Sequence, residues 1–305
     1  MSSNTKTKNG WLSGAFTSSK WDSHIKSANT TKKEMWLGYV LGVWGMMMTS
    51  SIVNSYFNQY LTDVIGFDST KGAWIASFMV LFPVLSKLID AITNLVMAKI
   101  IDSTTCKQGK VRPWLLISAP FVLISVILLF WMPFSKPIHQ AIWIVIAFNL
   151  YYSVSYTMWN MSKELMPAVS TRNVNQRKNL SMAAQIVGNV GTGLVSILFP
   201  MILARVCAAV HGDNAQGYLL SMSIMAVLAV CTTFVQYFHT RERVTEERRN
   251  QSGIRSQDTA RLKVHKEAGM WTQCRACLKS KYWILFILIV LIFNICGNLR
   301  NISLI

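Results

Sequence analysis

Aspartate and glutamate are scarce in this chain, 13 in 305 residues, and charged residues of either sign make up only 14%. So little charge beside 52% hydrophobic residues excludes a disordered polypeptide, and six scattered cysteines exclude a small disulfide-framed secreted scaffold. The histidines, His24, His139, His211, His239 and His265, show no metal-ligand spacing. There is no Gly-x-Ser-x-Gly elbow, phosphate loop or dinucleotide fingerprint, so no enzyme chemistry is legible and no resident cofactor is expected. An early apolar run is also missing. The first 34 residues are polar and carry Lys6, Lys8, Lys20, Lys26, Lys32 and Lys33, which excludes a signal peptide there.

Basic residues, in contrast, number 30 and give a formal charge of +17, a balance that by itself would suit a nucleic-acid partner. Their placement argues otherwise. They lie between long apolar stretches that are nearly free of charge, the pattern of a polytopic membrane protein. Seven stretches are long enough to cross the bilayer as helices: 35–61, 73–101, 114–134, 140–166, 180–209, 215–239 and 282–305. The connecting segments alternate in basic content. Six Lys precede the first stretch, Lys107, Lys110 and Arg112 follow the second, Arg172, Arg177 and Lys178 follow the fourth, and eleven basic residues lie within 240–281. The opposite segments hold only Lys71 and Lys136, with Arg205 near the end of the fifth stretch, so the positive-inside rule predicts a cytoplasmic N-terminus. The organisation expected is a polar basic tail over 1–34, a six-helix lobe over 35–239, a basic cytoplasmic loop over 240–281 and a seventh helix over 282–305. Topogenic charge and attraction to anionic lipid account for the basic loop, with a partner-binding role as the alternative. Its Cys274-x-x-Cys277 pair has no matching second pair for zinc and is read as two reduced thiols.

A charge at the centre of a membrane helix costs about 2.5 to 3.5 kcal/mol on insertion scales, so such residues face a bundle interior or a watery cavity. The second stretch carries Lys87, Asp90 and Asn94 on one helical face, three and four residues apart. The fourth carries a longer stripe of Asn149, Tyr152, Tyr156 and Asn160, then Lys163 and Glu164, with Trp159 beside it. The fifth adds Gln185, Asn189 and Thr192, while Gly188, Gly191 and Gly193 let a neighbouring helix approach. Amides for hydroxyl groups and flat rings for C–H faces suit a polyhydroxylated solute, and Asn149, Tyr152, Tyr156, Trp159, Lys163, Glu164 and Gln185 are the candidate solute-binding residues. The alternative is that Lys87 only pairs with Asp90 and that the amides bridge helices as interhelical glue.

The run from Lys87 through Asp90, Ala91 and Asn94 to Asp102, and on to Gly109-Lys110-Val111-Arg112-Pro113-Trp114, resembles the helix 2 and loop signature of the glycoside-pentoside-hexuronide cation symporters, the melibiose permease-like branch of the major facilitator superfamily. Tyr60-Leu61-Thr62-Asp63-Val64-Ile65-Gly66-Phe67 is similar to that family's first outer loop, and Tyr156-Thr157-Met158-Trp159-Asn160 falls where its helix 4 carries a comparable segment. The likeness covers about residues 35–240 and the opening of helix 7. It implies an all-α polytopic membrane protein of the cell membrane: a six-helix N-terminal lobe followed by the first helix of a second lobe, transporting by alternating access with solute and coupling cation near the midplane. Members couple Na+, H+ or Li+ to sugar uptake, and relatives in animals carry lipid-like solutes.

Asp90 matches the first of the family's two acidic positions on helix 2; Asn94 stands at the second and Asn160 at the acidic position of helix 4. Leu95 and Ala98 replace a Pro and a Gly of the motif, and Met46 to Thr49 offer no carboxylate where helix 1 often has one. A hard cation prefers several oxygen ligands, carboxylates among them. Asp90, Asn94, Asn160 and Lys87 are therefore expected to form a residual cation site with weakened or absent Na+ coupling, the Lys87 ammonium supplying charge that a bound cation otherwise brings. Asp102, Lys110 and Arg112 look like the superfamily's conformational latch, with plain topogenic anchoring as the alternative. The chain ends near the close of helix 7, before five further helices, and Arg300 would then lack its natural partners. The expectation is a partial chain whose transport requires a C-terminal lobe. A carrier for a glycoside or oligosaccharide competes here with a membrane protein that senses a solute or binds a partner without transporting; nucleic acid is not an expected partner.

Overall fold

The computed structural model describes residues 16, 19–67, 71–104, 106–210, 213–248, 250 and 279–302, the side chains of 291 and 293–302 excepted. Cys274, Cys277, His211, His265 and the Arg300 side chain lie outside the described residues. Six helices among those described are long and apolar enough to cross a membrane: α1 (Lys32–Val64), α2 (Ala73–Ser103), α3 (Arg112–Leu129), α4 (Pro137–Ser170), α5 (Val174–Ala209) and α6 (Asn214–Phe238). A seventh helix, α7 (Lys281–Ile302), occupies the last apolar stretch and belongs to a separate compact unit from Gly253 onward.

Helix boundaries depart from the apolar runs where polar chemistry extends a helix. The fifth stretch was expected from 180, yet α5 starts at Val174, because the Asn173 side chain accepts the N–H groups of Asn175 and Gln176 and caps the polar turn that follows. Likewise α3 starts at Arg112 rather than 114, with Pro113 in its first turn where a missing N–H costs nothing, and ends at Leu129 rather than 134.

Within the first unit, α1 packs between α5 and α6, and α4 packs between α2 and α3, with α3 also against α6. Only 17% of the apolar stretch of α2 and 22% of that of α5 is buried, against 67% for α1, so α2 and α5 are the margins of the unit. The α1–α5 approach uses the glycines expected for it: Gly188 meets Met47 and Gly191 meets Trp44. Gly193 meets nothing, so the expectation does not extend to it.

At the end of the bundle that carries the N-terminus, the polar segments pack against the helices. The segment before α1 is held in place over residues 21–25. Phe16 and Ile25 are buried, Tyr237 donates to the carbonyl of Trp21 at 2.9 Å, and the N–H of His24 donates to the carbonyl of Phe238 at 2.9 Å. The basic loop likewise opens as packed structure. Glu242 is fully buried and its carboxylate accepts the N–H groups of Lys110, Val111 and Arg112 at 2.9, 2.8 and 2.7 Å, a negative charge on the positive end of α3. Gly109 makes this nest possible: its φ of +115° suits glycine, and a side chain there would collide with the Glu242 carboxyl. Cys106 lies beside the nest, and burial together with Glu242 pushes its thiol above its ordinary pKa. Next to it Arg243 grips the buried Glu34 in a two-pronged pair at 2.7 and 3.0 Å and also donates to the carbonyls of Ser27 and Asn29.

Candidate functional site

The fourth helix is not α-helical throughout. Over Leu150–Tyr156 it widens to a π-helical turn: the N–H of Thr157 bonds the carbonyl of Tyr152, five residues back, and the Ser155 hydroxyl bonds the carbonyl of Leu150. Such widened turns concentrate at functional positions, because the extra residue redirects the side chains around it. Here it aims Tyr152 at α1 and Thr157 at α2. The Tyr152 hydroxyl donates to Asn54 Oδ1 at 2.7 Å, and the Thr157 hydroxyl lies 3.2 Å from Asp90 Oδ1. The same Thr157 hydroxyl lies 3.0 Å from the carbonyl of Tyr152. It carries one proton, so it serves one of these two acceptors at a time.

On α2, Lys87 Nζ stands 3.8 Å from Asp90 Oδ2 and 5.3 Å from the centre of the Tyr152 ring, bridging the carboxylate and the ring face. Asn94, one turn on, sends its Nδ2 back to the carbonyl of Asp90 at 2.8 Å. Asn149 joins α4 to α2 through Ser86 Oγ at 3.3 Å. Lys87, Asp90, Asn149, Tyr152 and Thr157 thus form one cluster with Asn54, and Tyr156 continues it, half-buried, with its ring 6.2 Å from that of Tyr152. Asn160 is half-buried one turn further along.

The other predicted residues sit apart. Trp159 is fully buried and its indole N–H donates to Gln236 of α6 at 3.2 Å, so its side chain belongs to the α4–α6 contact. Lys163, 6% exposed, lies 5.5 Å over the Trp159 ring and pairs at 2.8 Å with Glu164, which is 62% exposed. Gln185 is exposed on α5, where its contact is with Asn189 of the same helix. Asp102, Lys110 and Arg112 are at the N-terminal end of the bundle. Lys110 Nζ reaches the backbone carbonyl of Asp102 at 3.0 Å, and the Asp102 side chain is exposed. Arg112 is buried over the Tyr237 ring, donating to the carbonyls of Tyr237 and Trp21. Its guanidinium therefore ties α3 to α6 and the N-terminal segment.

Asn54, Ser86 and Thr157 are absent from the sequence-derived set. Asn54 had a usable signal: with Asn58 it makes an i, i+4 amide pair on one face of α1. Among the described residues, no three of His, Cys, Asp and Glu are placed to hold a metal ion. A mid-helix carboxylate, an exposed ammonium, amides and phenols on one face can bind hydroxyl groups and balance one charge.

The sequence profile of the family described as MFS/sugar transport protein matches residues 38–305. The uncharacterized symporter YnaJ of Bacillus subtilis is 27% identical over 223 residues, which is 73% of this chain and 45% of that protein. The isoprimeverose transporter of Lactiplantibacillus pentosus is 27% identical over 208 residues, 68% of this chain and 41% of the transporter. The putative glycoside/cation symporter YagG of Escherichia coli is 29% identical over 218 residues, 69% of this chain and 44% of that protein. In each case the match spans just under half of the relative's length. With six membrane-length helices and the Lys87–Asp90 motif face set against α4, the chain belongs to the MFS/sugar transport protein family, in the glycoside-pentoside-hexuronide branch of the major facilitator superfamily.

Proposed function

We propose that the chain forms the N-terminal lobe of a secondary carrier that moves a glycoside or other small polar solute across the cell membrane by alternating access. The observation that carries this is the cluster joining α1, α2 and α4, in which Asp90 meets Thr157 and Tyr152 meets Asn54 around a widened turn. Polar groups at membrane depth are costly unless they line a cavity, and this face combines them with aromatic rings as sugar recognition needs. The named cargoes of the relatives, isoprimeverose and glycosides, are of the same chemistry. Tyr152, Tyr156, Asn149 and Asn54 contact the solute; Asp90 with Lys87, Asn94 and Asn160 forms the cation side, with weakened or absent coupling to Na+. A facing lobe closes the site, and the exposed Asp102 carboxylate latches the two lobes in one access state. The N-terminus is cytoplasmic, the side on which the basic segments gather.

Uptake of radiolabelled glycosides by cells expressing the complete coding sequence tests the proposal. Uptake above an empty-vector control is expected, and Asn149→Ala is expected to lower it about 10-fold at unchanged membrane expression, the scale of one lost hydrogen bond to a desolvated hydroxyl group. Absence of uptake across pentosides, hexosides and hexuronides, with the protein present in the membrane, would contradict it.

A further inference from the structure

We infer that residues 21–29, ahead of α1, clamp the α2–α3 turn to the end of α6, and that Asp22 is a positioning residue for transport: through Gln108 and Arg112 it holds the turn in the form that presents Asp102 to a facing lobe. The inference rests on the carrier proposal for its part in transport, whereas the clamp is defined by contacts alone. Asp22 Oδ1 accepts from Gln108 Nε2 at 2.6 Å, Gln108 Oε1 accepts from Arg112 at 3.3 Å, and Arg112 donates at 3.5 Å to the carbonyl of Trp21, the residue before Asp22. These bonds close a ring. Tyr237 braces it, its hydroxyl donating to the same Trp21 carbonyl at 2.9 Å and its own carbonyl accepting from Arg112 at 3.0 Å. The far end of the segment is pinned separately: Arg241 and Arg243, just beyond α6, donate to the carbonyls of Lys26, Ser27 and Asn29.

Gln108 and Arg112 are buried, whereas the Asp102 side chain is exposed. Lys110 donates to the carbonyl of Asp102 at 3.0 Å, so the position of Asp102 follows that of the turn. A buried amide N–H that loses its acceptor is costly, so without Asp22 the Gln108 side chain turns away and releases Arg112 on that side. The Asp22 side chain is 48% exposed and its partner Lys107, 3.7 Å away, is solvated, so the charge pair adds little and the hydrogen bond to Gln108 carries the hold. Cys106 reports on that hold. It is buried in the same turn, the N–H of Gly109 donates to its carbonyl at 3.2 Å, and burial with Glu242 pushes its thiol above the ordinary pKa, which keeps it slow toward maleimides while the turn is closed.

The test uses the complete protein with every native cysteine except Cys106 replaced, read by initial rates of radiolabelled glycoside uptake in cells and by maleimide labelling of the purified protein. Asp22→Ala is expected to lower Vmax about 10-fold at unchanged KM and unchanged unfolding midpoint, and to label Cys106 at least on the order of 10-fold faster, the scale of one lost hydrogen bond. Asp22→Asn, which keeps the Oδ1 acceptor, should restore both readouts. Gln108→Leu should reproduce Asp22→Ala, and combining the two should add nothing further, because both remove the same bond. Asp22 is half exposed, so its truncation removes little packing. A Vmax that Asp22→Ala leaves unaltered would overturn the inference even if Cys106 labels faster, since the clamp would then be structural only; so would a loss that Asp22→Asn does not restore. If the unaltered protein takes up no glycoside, the transport proposal falls, and the labelling pattern alone decides whether Asp22 holds the turn.

Discussion

Gly42→Ala is expected to destabilise the six-helix unit by about 3 kcal/mol, the upper part of the usual range for overpacking a tight interface. The reason is the direct contact between α1 and α6. A methyl group built on Gly42 would lie 2.6 Å from the Cβ and 2.7 Å from the Cα of Gln236, so relief requires the α6 backbone itself to move. Gly38 and Gly45 face α6 in the same way, at His239 and Thr240 and at Thr232 and Ala229, which makes the three glycines a groove into which α6 settles. Displacing Gln236 also disturbs its bond to the Trp159 indole, so the strain reaches α4. Gly193→Ala is the matched control: nothing lies within 4 Å of the added methyl, and alanine favours a helix over glycine by about 1 kcal/mol. Thermal unfolding in detergent, followed by tryptophan fluorescence, should show a large drop for Gly42→Ala and an equal or higher midpoint for Gly193→Ala. Similar midpoints for the two would contradict the packing described.

Arg243→Ala is expected to cost about 3 to 5 kcal/mol, because it leaves a buried carboxylate without its counter-charge. Glu34 has no exposed surface and Arg243 only 7%, and the pair is held through both carboxylate oxygens. The same guanidinium fixes the carbonyls of Ser27 and Asn29, so its loss also releases the segment that leads into α1. The prediction separates stranded charge from lost packing through a second variant. Glu34→Leu combined with Arg243→Met removes both charges while keeping most of the volume, and should recover most of the stability lost by Arg243→Ala alone, although the carbonyls remain without their donor. Unfolding midpoints of the two single variants and the double variant measure this directly; a double variant no more stable than Arg243→Ala would contradict it.

The existence and rough position of the helices were legible because stretches such as 73–101 and 215–239 carry almost no charge and are bounded by polar turns. Their ends were less so where polar residues continue the helix, as in the turn that Asn173 caps. On α2 the spacing of Lys87, Asp90 and Asn94 made a shared helical stripe legible, since positions three and four residues apart align on one face. On α4 the stripe was only partly legible. The π-helical turn at Leu150–Tyr156 has no plain sequence signal, and the fate of Trp159 depends on Gln236, 77 residues away. The turn motif Gly109-Lys110-Val111-Arg112 was visible, yet its meaning as a nest for Glu242, 130 residues from Arg112, is a property of the folded chain. Phe16, Trp21 and Ile25 were not legible for the opposite reason: three apolar residues among lysines do not form a periodic pattern, but Phe16 and Trp21 pack with Leu116 of α3 and Tyr237 of α6, and Ile25 is buried.

The central claim is that the face shared by α1, α2 and α4 lines a water-filled solute path, and thiol labelling tests it most directly. Maleimides react with the thiolate and so require water at the cysteine. In the complete protein with its native cysteines replaced, Asn54→Cys and Asn58→Cys, one turn apart and both exposed on α1, should label in membranes and be protected by the transported glycoside. Ile224→Cys, exposed on α6 among apolar neighbours, should stay unlabelled. Asn54 and Asn58 positions as unreactive as position 224 would place that face against lipid or protein and contradict the account.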